Sequence, residues 1–128
     1  MTSDSIGDLI SRIKNGYLAR KAEIDVPFSK MKSELLQVLQ KKSFVNEVVK
    51  SADSKNLIVR LLYLEGVPAV TEIKRISKPG RRQYADTKSL TKIHNRLGFY
   101  IISTSRGIKT HVEAKQQHIG GELICLVW

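Results

Sequence analysis

The period of the apolar residues changes along this chain, and that change limits the folds open to it. Ile6, Leu9, Ile10, Ile13 and Tyr17 recur at the spacing of one helical face, predicting a helix from near Asp4 to about Arg20. Met31, Leu35, Val38 and Leu39 repeat the pattern behind Ser29, a residue suited to cap a helix start. Ile24 and Val26 flank Asp25 as a short strand before Pro27. Val45 to Lys50 and Leu57 to Leu64 then read as strands on either side of the turn-rich segment Ala52 to Asn56. The order α-β-α-β-β for the first half excludes both an all-helical and an all-β fold.

Glu65-Gly-Val-Pro68 is the best breaker in the chain. It predicts an N-terminal α+β domain over residues 1–65 and a C-terminal domain over 66–128. Beyond it Val70 to Ile76 reads as extended. Lys78-Pro-Gly80 forces a turn, because proline fixes one dihedral and glycine relaxes the next. Arg82 to Ala85 resumes a strand, and Leu90, Ile93, His94 and Leu97 mark a short helix closed near Gly98. A Phe99–Ile102 strand follows. Thr110 and Glu113 have the spacing of a capping box, so the last helix starts at Thr110. Gly120-Gly121 is the expected stop of that helix, and Glu122 to Trp128 the buried final strand. The expected fold is therefore α+β with two small domains, the second a mixed α/β unit with a short antiparallel sheet. At 128 residues and 41% apolar content, the chain can bury about two thirds of its unfolded surface.

Lysine and arginine outnumber aspartate and glutamate 22 to 12, giving a formal charge of +10. Such an excess favours a polyanionic partner, nucleic acid ahead of an anionic membrane. No apolar run approaches the roughly 20 residues needed to cross a bilayer. No basic amphipathic helix carries an aromatic face suited to a membrane surface. No signal-peptide pattern opens the chain, and a single cysteine fits a reducing compartment, so the expected location is the cytoplasm. The charge is uneven. Between Lys74 and Arg96 lie eight basic residues (Lys74, Arg75, Lys78, Arg81, Arg82, Lys88, Lys92 and Arg96) and one acid, Asp86. This stretch is an electrostatic base for an RNA site, because phosphate contacts supply much of the affinity.

It runs toward the segment Ser103-Thr-Ser-Arg-Gly107, where the strand beginning FYII stops in three hydroxyl side chains. Short hydroxyls can both donate and accept hydrogen bonds. Arg106 brings a planar cation matched to phosphate geometry. Gly107 permits a sharp turn and close approach. Such a loop could equally satisfy its own backbone through Ser and Thr side chains. Duplex RNA, with a wide, shallow minor groove lined by 2′-hydroxyls, is the ligand that suits it best. Tyr84 follows a basic pair and is either a half-buried core residue or a stacking surface. Lys30 and Lys32 open the second helix, where cations oppose the helix dipole. Together with Arg12, Lys14, Asn15 and Lys55 they could grip a second RNA segment, though each alone is commonly just solvated.

Catalytic signals are poor. Asp4 and Asp8 share a helix face, but acids in a first turn favour the dipole. His111, His118 and the distant His94 could be joined only by Cys125, which does not make a closed zinc site. Gly107 to Thr110 lacks the glycine and lysine spacing of a phosphate loop. No G-x-S-x-G elbow surrounds a serine. Neither enzyme activity, metal nor cofactor is expected.

Asp4 to Asn15, Val26 to Lys30, Ile73 to Gly80 with Arg82 to Tyr84, the IISTSRG string, Thr110 to Ala114 and Gly120 to Glu122 together span nearly the whole chain. In this order they resemble the family of the eighth protein of the bacterial small ribosomal subunit. Ser5, Thr91, His111, His118 and Ile119 depart from the family's usual pattern. The resemblance implies a structural RNA-binding protein that binds the central domain of small-subunit ribosomal RNA early in assembly, beside neighbouring small-subunit proteins. Its own messenger RNA is implied as a second partner, with translational repression as the alternative role. It implies RNA contact by Ser103, Thr104, Ser105, Arg106, Gly107 and Tyr84, and places Gly121 and Glu122 beside the hydroxyl loop. Glu122 then either orients that loop or accepts from a base amino group. Lys78, Arg81 and Arg82 are expected to serve phosphates, and Arg12, Lys30 and Lys55 the second segment.

Overall fold

The computed structural model describes residues 4–93 and 98–128. The chain divides into two compact units, residues 1–71 and 72–128. Glu65 and Gly66, read from sequence as the boundary, form the turn between two short strands inside the first unit, and the division falls a few residues later.

In the first unit α1 (Ser5–Leu18) and α2 (Lys30–Lys41) accompany β1 (Glu23–Pro27), β2 (Glu47–Lys50) and β3 (Asn56–Arg60). The strands form an antiparallel sheet of order β1-β3-β2, with Val26 opposite Leu57 and Val48 opposite Val59. The short strands β4 (Tyr63–Leu64) and β5 (Val67–Pro68) pair beyond it. Ile24, Val26, Leu57 and Val59 are buried on the sheet, and Ile6, Leu9, Ile10, Ile13 and Tyr17 on α1. The apolar stripe that predicted α1 is thus the face that packs. Asp4 caps this helix by accepting from the Gly7 amide, and Ser29 caps α2 by accepting from the Lys32 amide. The buried Tyr17 hydroxyl donates to the Phe44 carbonyl at 2.6 Å and accepts from the Leu62 amide at 3.1 Å. Burial raises its pKa.

The buried face of α2 is not the expected one. Leu35, Leu36 and Leu39 are buried together with Lys32, while Met31 and Val38 lie half out. Positions 32, 35, 36 and 39 make a more regular helical stripe, and Lys32 can occupy its first place because its alkyl stem packs. The residue is only 6% exposed, and its ammonium reaches the Pro27 carbonyl at 3.4 Å.

The second unit is built on β6 (Ile73–Arg75), β7 (Tyr84–Ala85), β8 (Phe99–Thr104), β9 (Gly107–Thr110) and β10 (Gly121–Val127), with helices α3 (Thr87–Thr91) and α4 (His111–Gln116). The antiparallel sheet runs β6-β10-β8-β9, and β7 also pairs with β10. Leu90, Ala85, Ile102 and Ala114 form a core cluster in this unit. Asp86 caps α3, which ends at Thr91, and His94 and Leu97 lie outside the described residues.

Two further expectations change. The strand that begins at Phe99 continues through Ser103 and Thr104, and Gly107–Thr110 is a strand of its own paired to it. The hydroxyl segment is therefore the end of a hairpin rather than a loop leading straight to a helix. The capping box does form, with the Thr110 hydroxyl accepting from the Glu113 amide and the Glu113 carboxylate from the Thr110 amide, each at 3.2 Å. Gly120-Gly121 does not end α4, however. His118 takes the left-handed position at φ 52, and the Ile119 and His118 amides bond back to the Ala114 and Lys115 carbonyls. His111, at the first position of α4, is buried, and its Nδ1 accepts from the Tyr100 amide at 3.1 Å. Burial, helped by Lys115, holds its pKa below the ordinary imidazole value.

Candidate nucleic-acid interface

Strand pairing in the second unit lines up residues far apart in sequence. Glu122 lies opposite Ser103 on one side and Tyr84 on the other. Ser103 in turn lies opposite Ile108. Neighbouring strands are about 4.8 Å apart, and residues in one row project to the same face. Tyr84, Glu122 and Ser103 therefore form a continuous row. The next row holds Ala85, Gly121, Thr104 and Gly107. A Cβ on Gly121 would sit 2.1 Å from the Ser103 carbonyl oxygen, so only glycine lets β10 and β8 approach this closely here.

The hairpin tip uses its side chains unequally. The Thr104 hydroxyl donates to the Gly107 carbonyl at 2.7 Å and accepts from the Arg106 amide at 3.1 Å, closing the turn. Gly107 takes φ 101, which a side chain would oppose. Thr104 and Gly107 thus build the tip. Ser103 is half-buried, and Ser105 and Arg106 are exposed. Among the described residues the Ser103 and Ser105 hydroxyls take no protein partner, which leaves them able to donate and accept outward.

Glu122 is fixed from beneath. Its Oε2 accepts from the buried Ser77 hydroxyl at 2.5 Å and from the Arg82 guanidinium at 3.1 Å, and the side chain is 17% exposed. Ser77 Oγ accepts from the Gln83 amide, and the Ser77 carbonyl accepts from the Arg75 guanidinium. The Arg82 pair is half in solvent and worth little by itself; the shorter bond from Ser77 to the carboxylate is the one that orients it. Tyr84 is 70% exposed, so it is not a core residue. Lys78 and Arg81 pair backbone to backbone across the Pro79-Gly80 turn and leave both side chains exposed. Lys74, Arg75, Lys78 and Arg81 edge an open groove of about 460 Å³ whose floor includes Tyr100, Leu123 and Leu126.

In the first unit the cations predicted for a second segment part company, Lys32 being buried. Arg12 is engaged twice, by Asp8 at 2.8 Å and the Asp25 carbonyl at 3.0 Å, and ties α1 to β1. Lys30 and Lys55 are exposed. The candidate acids Asp4 and Asp8 have structural work, one capping α1 and the other pairing with Arg12. Cys125 is buried, with its thiol pKa pushed up to about 12, which leaves it unreactive. Among the described residues no group of three or more His, Cys, Asp or Glu side chains could hold a metal ion.

Hydroxyl, carboxylate and tyrosine thus share a row beside a cationic edge, and sequence comparison identifies the family. Residues 4–128 match the family model described as ribosomal protein S8. The chain belongs to the ribosomal protein S8 family. It is 40% identical to the small ribosomal subunit protein uS8 of Sulfurihydrogenibium sp. (strain YO3AOP1) over the full length of both chains. It is 41% identical to that of Dictyoglomus thermophilum, covering 98% of each, and 41% identical to that of Desulfovibrio desulfuricans, covering each fully. The S8 family is structural and non-enzymatic. Two residues that support this row are not legible in the sequence. Ser77, the anchor of Glu122, lies in the ISKPG string, which signals a turn but not a hydrogen-bond hub. Gln83, whose amide bonds Ser77, lies in the Arg82 to Tyr84 string, which signals the family but not this bond.

Proposed function

We propose that this chain is a structural component of the small ribosomal subunit and a primary binder of the central domain of its ribosomal RNA. One observation carries the reading: Ser103, Glu122 and Tyr84 occupy one row on one face of a rigid sheet, with the Glu122 carboxylate already oriented by Ser77. Binding therefore requires little ordering of side chains. Ser103 and Ser105 offer small hydroxyls to sugar and base edges in a shallow groove. Glu122 accepts from a base amino group, and Tyr84 lies against a sugar or base. Arg106 at the tip and Lys78, Arg81 and Arg82 along the edge meet phosphates, which makes binding salt-dependent. Thr104, Gly107 and Gly121 serve by shaping the tip. Lys30 and Lys55 give the first unit a second, weaker contact, while Arg12 acts through the fold. The expected setting is the bacterial cytoplasm; no described helix is long and apolar enough to cross a membrane.

Hydroxyl-radical footprinting of the full chain on small-subunit ribosomal RNA tests this reading. Protection concentrated in the central domain, and lost when Ser103 and Ser105 become Ala, is the expected result. Protection spread over the whole RNA, or indifferent to those substitutions, would refute it.

A further inference from the structure

A second aromatic and cationic grouping lies in the first unit, apart from the row described above. Phe28 stands between the end of β1 and the cap of α2. Its amide donates to the Lys55 carbonyl at 2.9 Å, which fastens it to the tip of the β2–β3 hairpin. The Lys50 ammonium lies 4.3 Å from the centre of the Phe28 ring. Lys30 follows Phe28 with only Ser29 between them, and Lys30, Lys50 and Lys55 are all exposed. Phe28 itself is 39% exposed, although a phenyl ring gains most by full burial. The acid of this tip does not cancel the cations nearby. Asp53 accepts from the Ser51 hydroxyl at 2.6 Å and the Lys55 amide at 3.0 Å, and its single charge offsets only one of the three ammonium groups.

An exposed aromatic ring with one ammonium at its face and two further exposed lysines on the adjoining segments is a pattern that holds unpaired nucleotides. The π-face takes a base of any identity, and the cations track the backbone on either side. The backbone bond to Lys55 and the Lys50 contact hold the ring in place before binding. An acidic peptide would satisfy the lysines but gives no role to the ring.

We propose that Phe28 stacks on an unpaired RNA base, and that Lys30, Lys50 and Lys55 neutralise the phosphates flanking it. This rests on the RNA-binding reading above and deepens its second contact, that of Lys30 and Lys55 in the first unit, by adding Phe28 and Lys50 and making it a single-stranded rather than a duplex contact.

The test uses the full chain and three probes: an eight-residue oligouridylate, a fully paired RNA hairpin and an oligoglutamate of equal charge. Fluorescence anisotropy should show Phe28→Leu weakening oligouridylate binding roughly fivefold or more, with an unchanged salt slope and an unchanged melting temperature. Phe28→Trp should retain binding. Lys50→Gln and Lys55→Gln should each lower the salt slope by about 0.7. Ultraviolet cross-linking to oligouridylate should place an adduct on Phe28. Wild-type affinity in Phe28→Leu overturns the proposal, as does equal Phe28 dependence with oligoglutamate, which would make this a peptide site. If Ser103→Ala weakens ribosomal RNA binding while Phe28→Leu changes no probe, the stacking claim alone falls. If the wild-type chain binds no RNA, the functional reading falls with it.

Discussion

The β2–β3 hairpin ends in Ser51-Ala-Asp-Ser-Lys55 and the β8–β9 hairpin in Ser103-Thr-Ser-Arg-Gly107, two tips of similar composition with different hydrogen-bond accounts. At the first, the Ser51 hydroxyl donates to Asp53 and accepts from the Asn56 amide, and Asp53 also takes the Lys55 amide. At the second, Thr104 alone closes the turn, and Ser103 and Ser105 are left over. The first tip therefore presents ammonium groups, and the second presents hydroxyls and a guanidinium. What a polar tip can offer a ligand is whatever remains after its backbone amides and carbonyls are satisfied. On this account the second tip has hydroxyls to spare for hydrogen bonding, while the first has ammonium groups to spare.

The strongest challenge to that contrast is steric. The β8–β9 tip is held against β10 by Gly121, where an added Cβ would meet the Ser103 carbonyl at 2.1 Å. Gly121→Ala should lower stability by about 3 kcal/mol, the upper end for overpacking. Ala52→Gly at the exposed first tip should change it by less than about 0.5 kcal/mol. Urea midpoints decide, and equal losses would mean that the two tips are built alike. A crossed pair of substitutions is next in size. Ser103→Ala should weaken ribosomal RNA binding by about 2 kcal/mol and leave stability nearly unchanged. Ser51→Ala should do the reverse, costing about 1 kcal/mol of stability with unaltered affinity. Filter binding and thermal melts on both proteins measure the cross. If Ser103→Ala destabilises as Ser51→Ala does, the hydroxyl belongs to the fold.

The parts of this structure legible beforehand are those whose signals are local. The stripe from Ile6 to Tyr17, the Ser29 cap and the Thr110–Glu113 capping box each act within a few residues, and each is present. Strand β9 carries no such signal: Gly-Ile-Lys-Thr shows no clear alternation and becomes a strand because β8 lies beside it. Gly120-Gly121 looked like a helix stop, yet the reason for Gly121 is a strand that precedes it by many residues. Lys32 took a place in the buried stripe of α2 because a long stem can pack while its ammonium finds a carbonyl, which a two-letter apolar pattern does not register. The row of Tyr84, Glu122 and Ser103 has the same origin. Resemblance could name its members, but that they stand side by side depends on the register of three strands.

A smaller effect separates Thr104 from its neighbours within the second tip. Thr104→Ala removes both bonds of the hydroxyl and should cost about 1 kcal/mol of stability, and Thr104→Ser should restore most of it, because the oxygen alone closes the turn. Comparable loss in Ser105→Ala would show that the tip is closed by a different hydroxyl from the one identified.

The gentlest probe of the contrast is acid. Asp53 is held below its ordinary value of 3.8, first by the Ser51 hydroxyl and then by the Lys55 amide. A carboxylate depressed in the folded state contributes stability that is complete above its unfolded pKa and is lost as pH falls through the folded value. Acid should therefore loosen the first tip below about pH 3.8. The second tip has no equivalent, since the Arg106 amide is held by a threonine hydroxyl that does not titrate. Amide resonances of Lys55 and Arg106 followed from pH 6 down to about pH 2 should diverge, Lys55 shifting along the Asp53 titration and Arg106 staying flat through it. Asp53→Asn should abolish the Lys55 titration. A Lys55 amide that ignores pH would mean that the carboxylate does not hold the first tip, and the lysines there would lose the fixed framework from which they face outward.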